Sequence, residues 1–303
     1  MPKTKLNPDL TAWPAGPDPS APQRSPNEIQ IDLEAGSLAG LHYHHASPRH
    51  RLLATHGWLD NAASFSRLLP ELGLDESIAL DLPGHGHSAW LPPGLSYHFI
   101  DSVVAMIDAL DRLRWDSCVL VGHSLGAGVM PLVAALVPEK VRGLILIDGL
   151  GPLTTSAAEA PAVLQKALRD RTQNRAPKIY PEPGRAVERL LKRELTRDAA
   201  ERLAARGLRE VPGGWQFGHD PRLTWTSRLR MTEEHVHAYL QMLKCPTLLL
   251  VASRGPIATH AIFSDRVRMI PRLTRVDFEA GHHFHLEQPE LALGAILPFL
   301  NEI

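Results

Sequence analysis

The stretch Gly122-His123-Ser124-Leu125-Gly126 sets a serine between two glycines directly after the apolar run Cys118-Val119-Leu120-Val121. A serine lifted above the end of a strand can attack a carbonyl carbon and split hydrolysis into acylation and deacylation. The turn that lifts it is sharp, and bulk two residues to either side would strike neighbouring backbone, which glycine avoids. The plainer role for Ser124 is to cap the helix that follows, and capping coexists with catalysis. Chance supplies such a pentapeptide in roughly one chain in ten of this length, so its surroundings must decide. Three further segments stand out: Thr55-His56-Gly57-Trp58, Asp81-Leu82-Pro83-Gly84-His85-Gly86-His87-Ser88 and Ala280-Gly281-His282-His283.

These segments need elements to bring them together. Continuous apolar runs at residues 52–55, 77–80, 119–121, 144–147, 247–251 and 274–278 alternate with helical stretches. Strands apolar on both faces predict a parallel sheet covered by helices on both sides. Before them, residues 28–33 and 41–45 alternate apolar with polar side chains, with Gly36 and Gly40 between, as in an antiparallel hairpin. A helix is expected over residues 99–113, with Val103, Val104, Ile107, Leu110 and Leu113 at helical spacing, and another over 289–300 behind Pro289.

The core is expected to comprise residues 28–150 and 243–303, interrupted by 151–242. That insertion has helical patterning around 157–170 and 185–206 and breaks at Pro181, Pro183, Gly213 and Gly214. It reads as a helical lid over a site at the sheet edge. Its charges read as a solvated helix face, because Glu188, Glu194 and Glu201 interleave the arginines. Trp215, Phe217, Trp225 and Leu229 either pack the lid or line a pocket. Residues 1–27, with prolines at 14, 17, 19, 22 and 26, read as a disordered or draped leader and not as a secretory signal.

Among the 303 residues, 32 Lys and Arg against 33 Asp and Glu leave a formal charge of −1. Such a balance gives no long-range field, which argues against nucleic acid or an anionic membrane as partner and for a small, roughly neutral substrate. No stretch reads as a membrane span. Cys118 and Cys245 each sit at the start of an apolar run and read as free thiols in a reducing cytoplasm.

Together these motifs resemble the α/β-hydrolase superfamily from about residue 28 onward. The stretch His56-Gly57-Trp58-Leu59-Asp60-Asn61-Ala62-Ala63-Ser64-Phe65, with Asp81-Leu82-Pro83-Gly84-His85-Gly86, looks more narrowly like the serine-hydrolase-like subfamily. The resemblance implies an α/β-hydrolase fold, a mostly parallel twisted sheet flanked by helices, with the lid between the sixth and seventh strands. It also implies a triad in the chain order Ser, acid, His. Ser124 is then the nucleophile. His282, directly after Gly281, matches the family's G-H position and becomes the base, with His283 and His285 as packing or lining residues. A three-His metal cluster is the alternative for that segment, but no metal and no cofactor are expected. The backbone N–H groups of Trp58 and Leu125 would form the oxyanion hole. His56 would prop its loop, while Asp60 and Asn61 either touch substrate or hydrogen-bond within the loop.

The acid departs from the pattern. Most relatives carry it after the strand that follows the lid, where this chain has Ala252-Ser253-Arg254-Gly255-Pro256-Ile257 and no carboxylate. A second known location is the end of the strand after the nucleophile helix, which here runs into Asp148. Both strand ends border the elbow in this topology, so Asp148 is the expected acid. Asp265 or a dyad without an acid are the alternatives, with Asp148 then capping the strand or binding lid backbone. The implied activity is that of a cofactor-free, carboxylesterase-like serine hydrolase acting on a carboxylic ester or related acyl compound. The same site would serve a thioesterase, amidase, C–C bond hydrolase or acyltransferase, and a degenerate triad would leave a non-catalytic binding protein.

Overall fold

The computed structural model describes residues 25–45, 48–72, 76–172, 177–259 and 262–303. The leader expected over residues 1–27 therefore lies almost wholly outside the described residues. The chain opens with β1 (Asn27–Leu33) and β2 (Gly36–Tyr43), then β3 (Arg51–Thr55), β4 (Glu76–Leu80), α1 (Phe99–Leu113), β5 (Cys118–His123), α2 (Leu125–Leu136) and β6 (Val141–Ile147). Next come α3 (Ala160–Thr172), α4 (Pro183–Leu191), α5 (Arg197–Gly207), β7 (Leu208–Val211), β8 (Gly214–Phe217) and α6 (Glu233–Gln241). The chain closes through β9 (Thr247–Ala252), α7 (Pro256–Thr259), α8 (Ile262–Met269), β10 (Leu273–Phe278), α9 (Phe284–Glu287) and α10 (Pro289–Glu302).

An eight-stranded sheet in the order β1-β2-β4-β3-β5-β6-β9-β10 forms the centre. Strands β1, β2 and β4 pair antiparallel, and every pairing from β4 to β10 is parallel. The continuous apolar runs follow from burial on both faces. Leu53, Leu120, Leu144, Leu146, Leu249 and Val251 face the core built with α1 and α2. Their neighbours Leu52, Val119, Val121, Ile145, Leu248 and Leu250 face the core built with α10. Each such fully buried side chain contributes about 1.5–3 kcal/mol.

Two elements differ from expectation. Gly36 and Gly40 lie within β2 and not between strands, so the hairpin turns on Glu34 and Ala35 alone. Gly40 is needed there because a Cβ would stand 2.3 Å from the carbonyl oxygen of Ala79 on β4. Strand β10 is also not buried on both faces: it ends the sheet, and Arg275 and Asp277 pair on its exposed side. Charge on an edge strand blocks pairing with other chains.

The segment between β6 and β9 contains helices but also the β7–β8 hairpin, which turns on Pro212 and Gly213. Many polar bonds fasten it to the core. Arg206 on α5 is buried and pairs with Asp81 at 2.5 Å and Glu28 at 3.0 Å. Asn61 donates to Leu203 O at 3.0 Å, Trp90 Nε1 to Gly218 O at 2.9 Å and Tyr97 Oη to Asp220 at 2.8 Å. At the segment's base, Arg266 on α8 donates to the carbonyls of Leu150 and Pro152.

Candidate active site

The elbow forms where β5 gives way to α2. Ser124 adopts φ 51° and ψ −109°, a conformation that costs an ordinary residue about 1–3 kcal/mol. Its two glycines are required by close backbone approach. A Cβ at Gly122 would lie 2.4 Å from Gly126 O, and one at Gly126 would lie 2.1 Å from Thr55 O. The turn is pinned on both sides, with Ser124 N donating to Ile147 O at 3.0 Å and Gly126 N to His56 O at 3.1 Å.

Asp148 follows β6, the immediate neighbour of β5, and His282 lies in the loop between β10 and α9. The carboxylate is 1% exposed, and its Oδ2 stands 2.5 Å from His282 Nδ1. Its Oδ1 accepts from Ala252 N at 3.2 Å, so both oxygens are engaged. Gly255 abuts this carboxylate: a Cβ there would be 1.9 Å from Oδ2. The carboxylate-free loop after β9 thus packs directly against the acid from β6. Asp265, the other candidate acid, is exposed on α8 and pairs with Arg268.

Residues 57–60 form a turn closed by Asp60 N donating to Gly57 O at 3.1 Å, with Leu59 at φ 60°. Among the described residues no acceptor meets the N–H of Trp58 or of Leu125. Leu125 opens α2, where the first N–H groups have no partner within the helix and carry partial positive charge. The inserted segment grips the same turn: Arg193 donates to Trp58 O at 3.2 Å and to Asp60 Oδ1 at 3.1 Å, and the Trp58 indole donates to Leu223 O at 3.1 Å.

Asp60 and Asn61 are buried and bonded within the protein. Asn61 caps the following 3₁₀ turn through Ala63 N, besides its bond to Leu203. Burial opposes the charge of Asp60, but His283, 3.0 Å from Oδ2, and Arg193 outweigh it and hold its pKa below the ordinary carboxylate range. His56 receives Leu82 N–H at Nε2, so its Nδ1 carries the proton donated to Gly57 O at 2.7 Å. Burial lowers its pKa and keeps it neutral, as a prop for the loop.

His123 was not among the residues the sequence singled out for a role of their own. It is fully buried, and its ring stands 4.6 Å from that of His282. The carbonyl of His282 can only accept, so His123 donates to it from Nε2 at 3.0 Å, leaving Nδ1 bare and 3.9 Å from Asp60. Burial, together with His285, His282 and His283, drives its pKa well below the usual value. The three late histidines do not gather as a ligand set. His282 turns to Asp148, His283 to Asp60, and His285 Nε2 to Ser64 Oγ at 2.9 Å. Donor atoms of Asp60, His123 and His283 do lie within 4.8 Å of one another, all three buried, with Arg193 on the other oxygen of the carboxylate.

Arg193 and Arg206 belong to the charge run that reads in sequence as a solvated helix face, but both reach inward to buried acids. The sequence signal was faint. Asp60 and Asp81 stand in loops next to apolar strands and call for cations from elsewhere in the chain.

This fold and elbow agree with the match of residues 51–289 to a family model described as the alpha/beta hydrolase fold. The chain belongs to that family. It is 30% identical to a serine hydrolase-like protein of Danio rerio over 92% of this chain and 90% of the relative. A probable serine hydrolase of Drosophila melanogaster is likewise 30% identical, over 99% and 96% of the two chains. Among solved structures, the hypothetical protein PA1622 of Pseudomonas aeruginosa is 37% identical and superposes with a TM-score of 0.84, over 90% of this chain and 98% of that one. Within the family the chain therefore stands with the serine hydrolase-like proteins and is a hydrolase. No helix among the described residues is long and apolar enough to cross a membrane.

Proposed function

We propose that the chain is a cofactor-free serine hydrolase of carboxylic esters or closely related acyl compounds, working through Ser124, His282 and Asp148. The observation that carries this reading is the 2.5 Å contact between His282 Nδ1 and the buried Asp148 carboxylate, beside a serine on a strained elbow. Asp148 keeps the proton on Nδ1, which leaves Nε2 free to take the hydroxyl proton as Ser124 Oγ attacks the acyl carbon. The imidazolium that forms is stabilised by the same carboxylate and returns its proton to the leaving alcohol. Negative charge developing on the carbonyl oxygen is met by the N–H groups of Trp58 and Leu125, each such donor being worth about 3 kcal/mol. Water activated by His282 then releases the acid product.

The insertion acts as a lid. Across a narrow cleft its Leu190, Leu203, Phe217 and His219 meet Leu59, Asp60 and Asn61 of the Trp58 turn, which supports the insertion as the element that borders the site. Free, buried Cys118 and Cys245 suit a reducing cytoplasm.

A fluorophosphonate probe tests the reading. Covalent labelling is expected for the wild-type chain and none for Ser124→Ala. Asp148→Asn, folded by circular dichroism, is expected to lose about 10³–10⁴-fold in turnover on short-chain acyl esters, because the base loses its tautomer. Near-wild-type turnover in Asp148→Asn would remove Asp148 from the triad. Absence of labelling in well-folded wild type would leave a binding protein. Thioesters and amides assayed beside the esters set the substrate class.

A further inference from the structure

Away from the elbow, His42 lies on β2 and His44 two residues on, an interval that sends both side chains to one face of an extended chain. Their rings meet edge to face, with centroids 5.6 Å apart and planes at 83°. On the antiparallel partner β4, His42 is opposite Ile78 and Tyr43 opposite Ser77, which carries Glu76 alongside the pair. One donor atom from each of His42, His44 and Glu76 falls within 4.8 Å of the others.

We propose that His42, His44 and Glu76 form a binding site for a divalent transition-metal ion, zinc foremost. The donor set is two imidazoles and a carboxylate, which tetrahedral zinc accepts while keeping a fourth position for water. Calcium and magnesium demand oxygen ligands and find too few here. His42 Nε2 and Glu76 Oε1 are 3.0 Å apart. Two ligands at zinc bond lengths of 2.0–2.1 Å span about 3.3 Å across a tetrahedral edge, so the pair needs to open only slightly. Zinc would replace the proton now shared by these two atoms and release it to solvent.

The surroundings fit such a role. Arg51 on β3 holds the second oxygen of Glu76 at 3.2 Å, the kind of outer partner that orients a ligating carboxylate while leaving Oε1 to the ion. That guanidinium also opposes a nearby cation. It lies on the far oxygen and 6.0 Å from the Trp115 ring, whose face attracts positive charge. Exposed His44 gives the ion an entry from solvent. Glu76 starts β4, whereas Ser124 and Asp148 follow the ends of β5 and β6, so the ion would sit at the opposite end of the parallel strands from the elbow. Binding would staple β2 to β4 and leave hydrolysis unchanged.

The test is zinc titration of chelator-stripped full-length protein against a competing indicator, with thermal melts in zinc and in magnesium. One tightly bound zinc is expected, with a raised Tm in zinc alone and ester hydrolysis unaltered. His44→Gln, an exposed change without fold cost, and the double variant His42→Gln/His44→Gln should each weaken zinc binding by at least about tenfold while fluorophosphonate labelling of Ser124 stays normal. Unchanged zinc affinity in the double variant would assign the ion elsewhere, the Asp60, His123 and His283 group included, and overturn the proposal. So would equal shifts with magnesium, or no binding by the wild type.

Discussion

At the scale of single residues, backbone strain falls on positions proposed to carry the chemistry. Five non-glycine residues among those described have positive φ, and three of them are Leu59 in the proposed oxyanion turn, Ser124 and Asp148. Such conformations persist only where the surrounding structure over-determines them. Here the bonds of Ser124 N to Ile147 O and of Asp148 N to Leu250 O do so. Ser124→Gly should therefore be more stable than Ser124→Ala by about 1 kcal/mol in urea unfolding, since both lose the hydroxyl and only glycine relaxes the turn. An alanine variant at least as stable as the glycine one would show that the elbow stores no strain. The proposed triad of Ser124, His282 and Asp148 stands at places the chain itself marks, because each follows an apolar run or a glycine at the end of a strand. His123 was not legible in this way, since a histidine at the variable position of the pentapeptide has no signature until its donation to the His282 carbonyl is seen.

Among the elements, the sheet strands were the most readable and the insertion the least. Burial on both faces leaves an unmistakable apolar run, and the period-2 split of Leu52 from Leu53 and of Val119 from Leu120 between two cores is its physical cause. Strand β10 misled because Thr274, Val276 and Phe278 alternate with charges, the pattern of a half-exposed edge. In the insertion, arginines that pair with distant acids look locally like any surface helix. Arg193 holds both Trp58 O and Asp60, and so bears on the proposed oxyanion donor. Arg193→Met should lower kcat by about 10²-fold with KM within about twofold, because a displaced oxyanion donor costs transition-state binding above all. Added guanidinium should restore part of the rate. A rise in KM alone, with no rescue, would make Arg193 a substrate contact. Arg206→Met is a stability test by contrast: stranding Asp81 in the core should cost about 3–5 kcal/mol in chemical unfolding.

Over the whole molecule, the unusual quantity is buried neutral imidazole. His56, His85, His123 and His285 all have pKa values pushed below 6.5, chiefly by burial, and burial takes His219 to about 4. In the unfolded chain each takes a proton near pH 6.5, whereas in the folded chain it does so only at lower pH. Stability is therefore intact above about pH 6.5 and falls below it, by about 1.4 kcal/mol per pH unit for each such group until its folded pKa is reached. The lowered pKa of Asp60 acts in the same direction further down, below about pH 4, where its carboxylate starts to protonate in the unfolded chain. Urea midpoints measured at pH 7.5, 6 and 5 should decline steeply, and a flat series would mean that these histidines take up protons as readily in the folded chain as in the unfolded one. The contact between Gly255 and the Asp148 carboxylate carries a historical consequence. The ends of the neighbouring strands β6 and β9 are two addresses for the proposed triad acid, but a side chain at 255 and a carboxylate at 148 cannot occupy the site together. A descendant of this chain could not move its acid to position 255 by first adding a spare there, so it inherits Asp148 as a commitment.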